Sequence, residues 1–323
     1  VPRAEHLTFE DAAKALITDY EINKKEIRHL RRRINKHLAS FFGGRRMAGI
    51  TPADLSAYVA HRQQQGIIAW KGKRKGERIK DVSNTEINHE LKTLKRMFNL
   101  AIDGERLARK PKFRLLDEPP PRSGFFEADQ IRAVMAHLSD ELRPVVEFAW
   151  ITGWRVADEV LKMEWRRIDF KAGDVRLDVG TTKNGDARVF PMTADLRKLL
   201  EAQHVKHEKL KKAGHITPWV FFRMLAEERG GEKKPKPIGS FKRAWRLACS
   251  AAGVPGRHLH DLRRTAVRNL DRAGISRTVA MELVGHRTEE IYNRYNITSD
   301  GDRRDAARKL DAVPASTQKS ATV

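Results

Sequence analysis

The sequence is short of the residues that staple small folds together. It holds one cysteine, Cys249, in 323 residues, which excludes an intrachain disulfide framework and a cysteine-built zinc site and suits a reducing compartment. Long apolar runs are missing too: none approaches the roughly 18 residues needed to cross a bilayer. The opening stretch, VPRAEHLTFEDAAKAL, lacks the apolar segment of a signal peptide. It begins abruptly, so a preceding segment is expected to have been removed, and a cytoplasmic protein with no membrane partner is expected. Tyrosines number only four. Acidic residues are outnumbered, 42 Asp and Glu against 64 Lys and Arg, for a formal charge of +22 and a pI near 10.3. A monomeric enzyme for small substrates has no use for such self-repulsion, whereas a protein that displaces counterions from nucleic acid does. A basic protein that is merely soluble, or ribosome-associated, is the plainer alternative.

What is present is a globular composition, 40% apolar and 33% charged, with enough chain for two cores. KKEIRHLRRRINKHLASFF repeats apolar residues at Ile27, Leu30, Ile34, Leu38 and Phe41, a helical stripe closed by Gly43 and Gly44. ITPADLSAYVAHRQQQG starts a helix with Thr51 as N-cap and Pro52 in the first turn, and Gly66 stops it. TEINHELKTLKRMFNLAI places Ile87, Leu91, Leu94, Phe98 and Ala101 on one face. Between these two helices lies the basic loop WKGKRKGERIK, with Lys71, Lys73, Arg74 and Lys75, and Lys92, Lys95 and Arg96 follow on the third helix. Such faces are usually just solvated; several in one small helical unit of so basic a chain point to a DNA grip.

Pro119 to Pro121 break the helical pattern and predict a stiff linker. Helices resume with EADQIRAVMAHL and LRPVVEFAWITG, then short strands RRIDF, DVRLDV and ARVFPM, the last two joined through an Asn184-Gly185 turn. From LRKLLEAQHVKHEKLKKAG onward the pattern is helical again. The fold class is therefore mainly α with a small antiparallel β-sheet, α+β. No internal repeat is visible.

Four stretches offer chemistry. In FAWITGWRVADEVLKMEW, Arg155 follows a Thr-Gly turn, and Glu159, Leu161 and Trp165 mark an expected helix after it. The Lys183-Asn184-Gly185 tip sets a lysine on a two-stranded ribbon. HLHDLRR puts His260 and Arg263 on neighbouring positions of a helix start, a natural cradle for an oxyanion. Gly285 ends the helix RTVAMELV and leaves His286 to turn inward, with Tyr292 and Tyr295 close behind. Singly, each is as well read as a surface arginine, a solubilising lysine or a capping histidine.

In this order they resemble the tyrosine recombinases, the phage-type integrases. The resemblance covers about residues 124 to 300, and the basic helical part before it is similar to that family's core-binding domain. It implies a helical core-type DNA-binding domain over residues 1–118, a proline-rich linker over 119–123, a catalytic domain over 124–305 and a charged, partly disordered tail over 306–323. Matched position by position, Arg155 and Arg263 are the two arginines, Lys183 the hairpin lysine, and His260 the first histidine. His286 is the histidine of a VGH element, and Tyr295, nine residues beyond it, is the nucleophile. Tyr292 then packs or touches DNA. The acidic partner of Arg155 is Asp158 by direct count and Glu159 by alignment on Trp165. Arg264 stands where many relatives carry a histidine.

The chemistry explains the residue types. A phosphodiester anion repels nucleophiles, and a phenol has a pKa of about 10. On the family's pattern, two guanidiniums hold the non-bridging oxygens, where charge develops. His260 accepts the tyrosine proton, His286 adds a hydrogen bond and Lys183 protonates the departing 5′ oxygen. The 3′-phosphotyrosyl product stores the bond energy, so neither metal nor ATP is implied. The resemblance implies a site-specific recombinase of an integrative mobile element, phage-encoded or bacterial. Its implied partners are double-stranded DNA at attachment or core sites, further copies in a tetramer exchanging C-terminal segments on a Holliday junction, and a directionality factor. A type IB-like topoisomerase or resolvase, and a catalytically silent DNA-binding protein on the same scaffold, are the alternatives.

Overall fold

A computed structural model describes residues 6–69, 74–120, 124–180, 185–226 and 231–293, with residues 304, 307, 308 and 311 beyond them. The chain divides into two compact units, Val1–Pro120 and Pro121–Val323.

The first unit is helical. Helix α1 (Phe9–Ile22) precedes α2 (Arg28–Arg33), which runs through a π turn (Ile34–Leu38) into α3 (Ala39–Phe42). Then come α4 (Pro52–Gln65), a two-stranded antiparallel ribbon of β1 (Ile67–Ile68) and β2 (Arg78–Lys80), and α5 (Asn84–Asp103). Capping sets the starts: Thr8 and Asp11 form a capping box on α1, as Thr51 and Asp54 do on α4 with Pro52 in its first turn. Helix α1 lies outside the stripes singled out from sequence. The π turn adds a residue to one turn, so Phe42 is buried where the spacing pointed to Phe41, which is only partly covered. Within this core Glu90, fully buried, accepts from Tyr58 Oη at 2.7 Å and from Arg62 Nε at 2.9 Å and Nη2 at 3.0 Å. The segment leaving α5 is fastened back onto it. Asn88 Nδ2 donates to the Leu116 carbonyl at 2.8 Å, and Leu116 N–H donates to Asn88 Oδ1 at 2.9 Å.

The second unit opens with α6 (Ala128–Ala136) and α7 (Arg143–Thr152). Strands β3 (Ile168–Asp169), β4 (Asp174–Leu177) and β5 (Arg188–Pro191) follow as an antiparallel sheet in that order. The remainder is α8 (Ala194–Lys212), a ribbon of β6 (Phe222–Ala226) and β7 (Lys233–Pro237), α9 (Lys242–Ala251), α10 (His260–Arg272), α11 (Arg277–Val284) and α12 (Glu289–Asn293). Phe148, Trp154, Phe190 and Phe221 meet edge to face in its core. Helix α10 packs on α7 and α11.

Two expectations are corrected. The helix expected after Arg155 is instead a pair of 3-10 turns, Val160–Lys162 and Trp165–Arg167, because the Glu159 carboxylate folds back to the Arg155 N–H. The run expected to be helical after α8 is interrupted by β6 and β7, where Pro235 and Pro237 sit in a two-stranded ribbon that needs no continuous ladder. The linker residues 121–123, the Lys183-Asn184 tip and nearly all of the tail beyond 293 lie outside the described residues. No described helix is long and apolar enough to cross a membrane.

Candidate active site

Helix α7 stops at Gly153, whose φ of +67° is the left-handed conformation that favours glycine. Space demands glycine as well: an added Cβ would stand 2.8 Å from Ala266 Cβ and 3.2 Å from Val284 Cγ1. The chain turned out in this way presents Arg155. Its guanidinium Nη1 donates to Glu159 Oε1 at 2.7 Å, and its backbone N–H donates to Glu159 Oε2 at 2.7 Å. Glu159 is buried and Asp158 is exposed, so Glu159 is the carboxylate that fixes this arginine.

Arg263 comes from the inward face of α10 and is 2% exposed. Nη1 donates to the Gly153 carbonyl at 2.9 Å, Nη2 to the Gly285 carbonyl at 3.4 Å, and Nε to His286 Nε2 at 3.2 Å. One side chain thus joins the Thr-Gly turn, the helix carrying His260 and the Gly-His turn. Gly285 ends α11 with φ +73°, and His286 follows it into the interior. Trp154 Nε1 donates to the Leu283 carbonyl at 3.0 Å and ties the same two turns.

Both histidines are held neutral. Burial comes first, followed by the charges of Arg263, Arg155 and Arg188, in lowering the pKa of His286 to about 3. Since its Nε2 accepts from Arg263, the proton of the neutral ring belongs on Nδ1. For His260, desolvation by the packing around its ring and then Arg263, Arg264 and Arg155 bring the pKa to about 4, with Asp261 opposing. His260 is nevertheless solvent-exposed, unlike His286, so burial holds its proton off less firmly than it does for His286, and a reacting proton can be passed there. Helix α10 is fastened from the other side. Thr265 Oγ1 accepts from Phe126 N–H at 2.9 Å, and Arg268 donates to the Phe126 carbonyl at 2.8 Å and to Glu127 at 2.9 Å.

Strand β5 adds residues that the sequence reading passed over. Arg188 is buried, with Nη1 3.3 Å from Glu159 Oε2. Asp186, two residues before Arg188, takes both Nε and Nη2 of Arg287 at 2.7 Å, joining the approach to β5 to the residue after His286. A signal existed in period two: Phe190 faces the core, so Arg188 two residues earlier faces it as well.

Arg155, Glu159, His260, Arg263 and His286 are therefore brought together. Lys183 and Tyr295 lie outside the described residues. Tyr292 is fully buried with Val267, Ala280 and Val284, its ring 6.1 Å from that of His286. Burial raises its pKa, which suits packing rather than attack. Of the basic residues read as a DNA grip, Lys71 and Lys73 are outside the described residues. Lys75 and Lys95 are exposed, while Arg74 meets Glu77 at 2.8 Å, Lys92 meets Glu118 at 3.4 Å and Arg96 meets Asp19 at 3.7 Å.

A model of the phage integrase family matches residues 124–301, more than half of the chain, and the chain belongs to that family. The integrase of Salmonella phage P22 is 25% identical over 219 residues, which are 64% of this chain and 54% of the relative. The chain thus spans about half the length of that protein. The ICEBs1 integrase of Bacillus subtilis (strain 168) is 22% identical over 300 residues, 86% of this chain and 75% of the relative. Among solved structures, a lambda integrase dimer bound to a COC′ core site gives a TM-score of 0.64 at 18% identity, covering 92% of this chain and 78% of that one. The Tn1549 transposon integrase in complex with circular intermediate DNA gives 0.66 at 14% identity, covering 93% and 99%. At such identities the structural likeness speaks to the fold alone, mainly helical with small antiparallel sheets.

Proposed function

We propose that the chain is a site-specific DNA recombinase that cuts and rejoins duplex DNA through a 3′-phosphotyrosyl intermediate. The observation that carries this reading is the convergence of Arg155 and Arg263 on one spot beside two histidines held unprotonated. Two fixed guanidiniums suit the non-bridging oxygens of a phosphodiester. The Tyr295 phenol attacks phosphorus, its proton passes to His260, and the bond to the 5′ oxygen breaks as Lys183 supplies that oxygen with a proton. His286 donates through Nδ1. An arriving phosphate offsets the positive field of the arginines and raises the pKa of both histidines towards neutrality, where His260 becomes an effective base. The ester energy is retained in the phosphotyrosyl bond, so the cycle calls for no metal and no ATP.

The basic helical unit would grip the duplex, with Lys71, Lys73, Arg74, Lys75, Lys92, Lys95 and Arg96 meeting phosphates. Lambda integrase has been solved as a tetramer bound to a Holliday junction. By likeness, four copies of this chain would exchange strands in two steps, the segment after Tyr295 docking on a neighbour. The work would take place on DNA in a bacterial cytoplasm. Division of labour follows residues 1–118, 119–123, 124–305 and 306–323.

The test uses nicked duplexes tiled across the DNA that flanks the coding region. The wild-type protein should form a covalent adduct on one of them, and Tyr295→Phe should form none. An adduct in Tyr295→Phe overturns the nucleophile assignment. Sequence-independent relaxation of supercoiled DNA by a monomer would replace recombination with a type IB topoisomerase.

A further inference from the structure

Strand β5 contributes a cation that the chemistry above leaves unused. Arg188 pairs across the sheet with Leu177 and alternates with Phe190, both core residues, so its side chain points inward and is 3% exposed. Three neighbours enclose the guanidinium. Glu159 Oε2 lies 3.3 Å from Nη1, the Trp154 ring centre lies 5.6 Å from Cζ, and the backbone of Gly285 closes the third side, where an added Cβ would collide with the guanidinium itself. Burying a guanidinium this deeply is costly unless it meets a charge, and Glu159 is that charge.

Glu159 therefore faces two guanidiniums with one negative charge, Arg155 through Oε1 and Arg188 through Oε2. A buried carboxylate opposite a lone arginine would cancel it and leave little field for a substrate anion. Here two positive charges meet one negative charge, and a positive charge is left over. Arg188 is sealed in, whereas the Arg155 side chain is 20% exposed and within reach of an incoming group.

We propose that Arg188 is a positioning residue of this site: it takes up the charge of Glu159, so that Arg155 is held in place by that carboxylate yet keeps its positive charge for the scissile phosphate. The inference rests on the recombinase reading for the identity of the anion as a DNA phosphodiester. The same buried charge helps keep His286 unprotonated. A mere packing role makes a different demand. It needs only a side chain long enough to fill the space beside Trp154 and Gly285, and methionine would serve.

Two measurements separate these accounts. The first needs no DNA: inorganic tungstate, a tetrahedral dianion, is titrated into arginine-labelled protein while the side-chain Nε–H NMR signals of Arg155 and Arg263 are followed. Arg188→Met should weaken tungstate binding at that spot by about tenfold, the loss of one charge at close range in a medium of intermediate dielectric. Arg188→Lys should stay within about threefold of wild type, because the charge remains. Wild-type affinity in Arg188→Met, or a loss of about tenfold in Arg188→Lys, overturns the proposal, and the second outcome stands even if Arg188→Met fails to fold. The second measurement is adduct formation on the duplex found with wild-type protein, which should slow by about a hundredfold in Arg188→Met and by far less in Arg188→Lys. If wild-type protein forms no adduct on any duplex, the recombinase reading fails, and the tungstate titration still decides the role of Arg188.

Discussion

Arg263 donates from Nη1 to the carbonyl oxygen of Gly153 at 2.9 Å, across 110 residues of sequence. The bond locks the arginine of α10 to the turn that presents Arg155, so the two guanidiniums are set relative to each other before any substrate arrives. Its acceptors at Gly153, Gly285 and His286 are neutral, and they fix the fork without cancelling its charge. Preorganised charge of this kind is what a developing anion needs.

Arg263→Lys keeps a charge but has one ammonium in place of a three-armed fork. It cannot reach Gly153, Gly285 and His286 together. Single-turnover adduct formation should fall by about a hundredfold to a thousandfold, with the variant still folded by circular dichroism.

Gly153→Ala combines left-handed backbone strain with a collision against Ala266. Gly180→Ala carries similar strain at φ +79° but has no atom within 4 Å of the new Cβ. We expect the Gly153 variant to lose about 1–3 kcal/mol from strain plus a further contribution from overpacking, and the Gly180 variant to lose the strain alone. Urea midpoints of the two variants measure the difference.

His286 titrates near 3 when folded, against an ordinary value of 6.5, so the unfolded chain binds the extra proton between those limits. The associated stability is complete above pH 6.5 and is lost as pH falls towards 3. Between pH 7 and pH 5 this amounts to about 2 kcal/mol at most. In His286→Gln the fall in stability between the two pH values should shrink by that amount, leaving the share of His260, which urea unfolding of wild type and variant at the two pH values will show.

Glu90→Gln leaves the buried Arg62 facing a neutral amide within the helical unit. Loss of one member of such a buried pair costs about 3–5 kcal/mol. The unfolding transition of that unit should move well below wild type, while Arg74→Gln, in an exposed pair, should shift it by less than about 1 kcal/mol.

The helical elements could be read from sequence where apolar spacing and end signals agree, as with Thr51, Pro52 and Gly66 around α4. Arg155, His260, Arg263 and His286 could be picked out through their order along the chain, which resembles that of the tyrosine recombinases; singly, a glycine turn or a helix start beside each does not distinguish it from a surface or capping residue. The choice between Asp158 and Glu159 could not be made from sequence, because it depends on how the backbone closes after Arg155, and 3-10 turns there bring Glu159 rather than Asp158 to the guanidinium. Arg188 escaped notice because a charged residue in a short strand reads as solvent-facing until its partner Glu159, twenty-nine positions away, is located. The β6–β7 ribbon has lysines and prolines on one strand, a composition that carries no strand signal of its own.

Position 285 accepts one amino acid for independent reasons: the backbone angle that ends α11, and the closeness of the Arg188 fork to its α-carbon. Randomising that codon and selecting for strand exchange should return a single residue type. The same selection at Gly214, which shares the unusual backbone angle but has open space around it, should admit asparagine as well. A substitution map of this chain would thus mark a hole kept empty for a neighbour's charge.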